Sequence, residues 1–240
     1  MLRRRVARFP RQHGLSMVEL MVGVALGMFL VAGAVTMFVT HLSNSRNLLV
    51  EARVNQDLRA TADVISRDLR RAGNWDNAIS GVIAGTTGTT IANPYVGITM
   101  TGTSKVEYLF SRDATNTVQD NEQFGFQRAV VSGIGVIQMK VSGAGGGTWQ
   151  TLTDPTVLDI PANGLTITEV KKTVAVGGAC AKVCPPPAGA TWTCPTPPTL
   201  TLRQYDITLT GTSVADARVT RTLQTRARVR NDQSAGVCPT

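Results

Sequence analysis

Histidine is almost missing from this chain: there are two in 240 residues, His13 and His41. The first lies in an arginine-rich N-terminal stretch and the second at the end of a long apolar run. No Ser/His/Asp or Cys/His set can therefore be assembled from the remaining residues. A glycine-rich phosphate loop, a dinucleotide-binding fingerprint and an EF-hand loop are missing too. Charged residues make up 17%, below the usual quarter, and aromatic residues 5%. A net charge of +8 invites a nucleic-acid reading, but five of those charges are Arg3, Arg4, Arg5, Arg8 and Arg11, so residues 15–240 carry only +3. The acidic cluster Asp113, Asp120 and Glu122 offers a cation three carboxylates, and a solvated loop accounts for it better. The chain does not read as an enzyme, and no cofactor and no metal are expected.

Charge and proline are missing from particular places. Leu20–Thr40 holds 21 consecutive residues without a charge, which at 1.5 Å per residue spans about 30 Å, the thickness of a bilayer core. The arginines before this run orient it with the N-terminus in the cytoplasm, so the chain after residue 42 lies outside the inner membrane. Proline is absent from Leu15 to Ala72, consistent with one helix about 87 Å long. "AGA" at 32–34 resembles a signal-peptide cleavage site, but the apolar run continues beyond it through Val35, Met37, Phe38 and Val39.

One carboxylate, Glu19, stands at the head of the run. A charge near the hydrocarbon is costly and usually has a partner. A cut between Gly14 and Leu15 would create an α-amino group one helical turn from Glu19 and supply that partner. "GLSMVEL" (14–20), preceded by basic residues and followed by the apolar run, resembles the signal of type IV pilins and type II secretion pseudopilins. The resemblance implies that a prepilin peptidase cuts after Gly14 and that Leu15 is the N-methylated new terminus. It also implies that Glu19 is the helix-docking glutamate that pairs with the terminal amine. Phenylalanine is commoner in the family at the position held by Leu15. Gly23 and Gly27 form a small-xxx-small pair, a close-packing face or simply tolerated glycines.

Val54, Leu58, Ala62, Ile65, Leu69 and Ala72 step by three and four and predict an amphipathic helix, with Gly73 as its C-terminal cap. Arg53, Asp57, Arg59, Asp63, Arg67, Asp68, Arg70 and Arg71 form its wet face. Residues 80–103 are Gly/Thr-rich and read as loop with brief strands. Strands are expected at 105–110, 124–131, 134–141, 165–170, 204–210 and 217–231, with "SG" at 132–133 as a hairpin break. In the last strand Val219, Leu223, Ala227 and Val229 share one face and Arg226, Arg228 and Arg230 the other, which reads as a solvated edge or subunit contact. The expected fold class is α+β, a long N-terminal helix on a C-terminal antiparallel sheet. The order of these strands resembles the minor pilins of the PilW kind.

Cys180, Cys184, Cys194 and Cys238 all fall on the expected outer side, where an even count reads as two disulfides. Three pairings are possible. Cys184–Cys194 would close a small loop and Cys180–Cys238 would tie the Gly/Pro-rich insertion 177–198 to the C-terminus. A four-cysteine zinc site lacks paired C-x-x-C knuckles.

The expected organisation is a leader at 1–14, a membrane or filament-core helix at 15–42, an amphipathic helix at 43–73 and a β-rich head at 74–240. The resemblance implies a minor pilin that primes pilus assembly and sits at the tip, supporting twitching motility and adhesion. Its expected partners are prepilin peptidase, the inner membrane and other minor and major pilins, not nucleic acid. The alternatives are a J-type pseudopilin of type II secretion, an uncleaved bitopic periplasmic binding protein and a DNA-uptake pilin.

Overall fold

The computed structural model describes residues 14, 16–78, 93–113, 115–141, 143, 147–236 and 238–239. It divides into two units, one ending at Leu49 and one of Val50–Thr240. Helix α1, Met17–Leu69, contributes to both. Within the first unit every side chain from Met17 to Leu49 is exposed, including Phe29, Leu30, Met37 and Phe38. That is the surface expected of a helix that is apolar all round.

In the second unit the three-and-four stripe of α1 is the buried one. Val54, Leu58, Ala62, Ile65 and Leu69, with Ala72 in the following turn, are at most 1% exposed. Each buried Leu or Ile side chain contributes about 1.5–3 kcal/mol. α1 ends at Leu69, three residues short of the expected Ala72. The chain tightens there: Arg71 N–H donates to Asp68 O at 2.9 Å and Ala72 N–H to Leu69 O at 3.2 Å. Gly73 follows with φ 74, and its N–H donates to Leu109 O at 2.8 Å, so the cap also fastens the helix end to the sheet.

The strands are β1 (Ile98–Thr101), β2 (Lys105–Leu109), β3 (Gln123–Val131), β4 (Ile134–Val141), β5 (Thr148–Thr151), β6 (Leu158–Asp159), β7 (Leu165–Ala175), β8 (Thr199–Ser213), β9 (Thr220–Arg228) and β10 (Gln233–Ala235). β1 to β5 form a meander in chain order. Its tightest turn, Ser132–Gly133, has φ 52 and 84, the two positive values that match a hairpin to strand twist. The second sheet is built on β8, with β6 and β7 along one edge and β9 and β10 along the other. Among the described residues all pairings are antiparallel.

Backbone bonds join the sheets: Ile160 N–H donates to Gly135 O and Ile167 N–H to Thr103 O, both at 2.8 Å. The α1 stripe shares one core with Tyr108, Phe126 and Ile137 of the meander and with Leu165, Ile167, Tyr205, Ile207 and Leu209 of the second sheet. The arrangement is α+β, with the helix laid on antiparallel sheet.

Candidate functional site

The sequence places the candidate site at the start of α1. Gly14 and Ser16 are exposed, and Leu15 lies outside the described residues. Leu20 N–H donates to Ser16 O at 3.1 Å, which makes Ser16 the residue that caps the helix and puts Glu19 at its third position. Ser-x-x-Glu at these positions is a capping-box sequence, a local signal that the reading of Glu19 as a docking charge passed over. A carboxylate in the first turn is favoured by the helix dipole by about 0.3–1 kcal/mol. Glu19 therefore helps start the helix whatever else it does. It is exposed, and among the described residues no cation lies within ion-pair distance of it. A cation brought from elsewhere would meet a carboxylate with free lone pairs.

Within the uncharged run the two threonines satisfy their own hydroxyls. Thr36 Oγ1 donates to Gly33 O at 2.8 Å and Thr40 Oγ1 to Thr36 O at 2.9 Å. Hydroxyls folded back on the backbone can enter an apolar medium without losing a hydrogen bond. α1 is long and apolar enough to cross a membrane.

Of the acidic cluster, Asp120 is exposed and Asp113 half-buried, as a solvated loop would have them, but Glu122 is not. Glu122 is fully buried at the end of a short 3-10 turn, Asp120–Glu122. Its carboxylate accepts from Tyr95 OH at 2.7 Å, Arg112 N–H at 2.7 Å and Gln119 N–H at 2.9 Å. Asp113 is occupied separately, accepting from Thr115 N–H at 3.0 Å and Gln119 Nε2 at 2.9 Å. Hydrogen bonds from Thr115 hold its carboxyl below the usual range. Among the described residues no group of three His, Cys, Asp or Glu side chains could hold a metal. The cluster is a loop clasp.

Two further tyrosine–carboxylate pairs share this chemistry, Tyr205 OH to Glu169 Oε1 at 2.7 Å and Tyr108 OH to Asp68 Oδ2 at 3.2 Å. Sequence separations of 27, 36 and 40 kept all three pairs out of sight.

The last-strand arginines stand where the alternation put them, exposed on the outer face while Ala227 and Val229 are buried. Arg226 pairs with Asp206 at 3.0 Å and Arg228 with Asp232 at 3.1 Å. Disulfides join Cys180 to Cys238 and Cys184 to Cys194. The smaller loop also packs on itself, with Trp192 Nε1 donating to Val183 O at 3.0 Å and Lys182 over the Trp192 ring.

A family model for prepilin peptidase-dependent protein B matches residues 47–229, and one for the prokaryotic N-terminal methylation motif matches residues 9–35. No curated protein and no solved structure matches the chain. The first match covers the second half of α1 and nearly all of the sheet, and the second covers Gly14, Glu19 and the start of the apolar helix. The chain belongs to the prepilin peptidase-dependent protein B family: it is a pilin-like protein of the kind processed by prepilin peptidase.

Proposed function

We propose that this protein is a minor pilin of a type IV pilus, of the PilW kind. Prepilin peptidase cuts after Gly14, and Leu15 becomes the methylated N-terminus. Before assembly α1 crosses the inner membrane once, with its N-terminus cytoplasmic and the β-rich head periplasmic. During assembly the apolar half of α1 leaves lipid for the helices of other minor and major pilins. Glu19 then offsets the terminal amine of its own chain or a neighbour's, so the carboxylate enters the apolar environment as half of an ion pair. The subunit acts in an assembly-priming complex at the tip, supporting twitching motility and adhesion, and has no catalytic role.

One observation carries this reading. The side chains of Met17–Leu49 face outward on a helix that is uncharged from Leu20 to Thr40 and has a single carboxylate in its first turn. Intact mass and N-terminal sequencing of protein extracted from native membranes test it. A chain beginning at methylated Leu15 is expected. A start at Met1 would mean an uncut anchor and a start at Val35 a secreted protein, and either result overturns the proposal.

A further inference from the structure

Four arginines meet in an open groove of about 510 Å³ on the outer side of the second sheet: Arg70, Arg226, Arg228 and Arg230, with Gln204 and Val229 completing the lining. Two elements build it. On β9, Arg226 and Arg228 are two residues apart, so their side chains leave the same face about 6.7 Å apart. Gln204 faces Arg228 across the ladder and Asp206 faces Arg226. Beyond β9, Val229 N–H still donates to Arg203 O at 3.0 Å, and the alternation carries Arg230 to the same side. Arg230 N–H then donates to Arg70 O at 3.2 Å. That bond seats the turn after α1 beside the end of the last strand and sets the fourth arginine at the groove.

The charge there is only partly met. Asp206 and Asp232 take one contact each from Arg226 and Arg228. Among the described residues the Arg70 and Arg230 side chains have no hydrogen-bond or ion-pair partner. Counting all six groups, the groove keeps two positive charges. A solvated edge spreads its charges, whereas these four converge. Guanidinium forks match oxyanions in two-point geometry. The lining has no aromatic ring on which a base could stack. Nor does it have an exposed apolar floor for a peptide, since Val229 is fully buried. What remains for recognition is compact, dense negative charge, and a phosphate group brings about −1.5 to −2 with three acceptor oxygens.

We infer that this groove is a binding site for a ligand with clustered phosphate groups, recognised by charge and fork geometry. The inference does not depend on the role in a pilus. Calorimetric titration of the full chain in a non-ionic detergent, with sodium tripolyphosphate as the probe, tests it. Binding is expected in 50 mM salt and should weaken at least tenfold at 300 mM. Arg70→Glu and Arg230→Glu should each weaken it at least tenfold. Arg59→Glu, the same charge change on an exposed face of α1, should leave it within twofold. The two groove side chains are exposed and unpartnered, so their replacement should not move the melting temperature, and Arg→Gln versions provide a milder pair. Absence of binding, or equal losses in the groove variants and Arg59→Glu, would overturn the inference. Citrate binding as tightly as tripolyphosphate would replace phosphate with carboxylate. A thymidine oligonucleotide binding tenfold tighter per phosphate would make the ligand nucleic acid, and both results reject the site as stated.

Discussion

Tyr95, Tyr108 and Tyr205 are at most 1% exposed, and each donates its hydroxyl to a carboxylate, Glu122, Asp68 and Glu169 respectively. Burial raises all three phenol pKa values, and the adjoining carboxylate raises them further, because a phenolate there would be both desolvated and repelled. The folded chain thus holds these protons more tightly than the unfolded chain, whose tyrosines titrate near 10. The associated stability is complete below about pH 10 and is lost as pH rises beyond it, by at most about 1.4 kcal/mol per pH unit per tyrosine. Denaturant midpoints measured from pH 8 to 11 should be level and then fall. Tyr205→Phe, which leaves Glu169 its ion pair with Lys171 at 2.9 Å, should fall less steeply because one proton-linked group has gone. Equal slopes in the two proteins, or no fall by pH 11, would contradict this account.

Among the elements, the join between the two sheets is the most exacting, and Gly135 of β4 occupies it. A Cβ there would lie 1.9 Å from Ile160 O and 2.8 Å from Arg128 Nη2. That closeness accommodates three bonds: Ile160 N–H to Gly135 O at 2.8 Å, Gly135 N–H to Asp159 Oδ1 at 2.8 Å and Arg128 Nε to Ile160 O at 3.1 Å. Gly135→Ala should force the chain at Ile160 away and cost about 3 kcal/mol, from overpacking and the bonds it breaks. Gly143→Ala, with nothing within 4 Å, should stay within about 0.5 kcal/mol. Similar thermal shifts in the two variants would show that the join is not strained by a methyl group. Nothing in "IGVIQMKV" foretells this, because Gly135 is an ordinary strand residue until Ile160 arrives from another sheet. By contrast the α1 stripe and the 204–210 strand were legible, since their periods of three to four and of two record which side faces the core. The short strands β1, β5, β6 and β10, of two to four residues, carry too few alternations to be told from loop. The candidate site divides in the same way. Glu19 stood out as the one charge beside an apolar run, while Arg70 joined the other groove arginines only once the fold brought residue 230 to it.

At the scale of the whole molecule, every residue of the hydrophobic core falls at Val54 or later, and Met17–Leu49 contributes none. The ties that hold the head lie in the same unit. Glu51 pairs with Arg221, whose Nε is at 3.1 Å, so the head begins in ordered contact almost at its first residue. The stabilising burial is therefore contained in Val50–Thr240, and a fragment of those residues should fold by itself in water. Of its two disulfides the smaller should matter less to the core than Cys180–Cys238, whose loop encloses β8 and β9. The Cys184–Cys194 loop lies within the insertion, none of whose residues belongs to the core cluster, so reduction releases a segment that the core does not use. Thermal unfolding of the oxidised fragment should be a single cooperative transition, and reduction should lower its midpoint, mainly through the Cys180–Cys238 loop, while leaving the transition cooperative and exposing 181–198 to protease. If the oxidised fragment lacked fixed near-ultraviolet dichroism, Met17–Leu49 would have to contribute to the stability of the head. If reduction abolished the transition altogether, the two bridges and not the helix–sheet core would be what holds the head together.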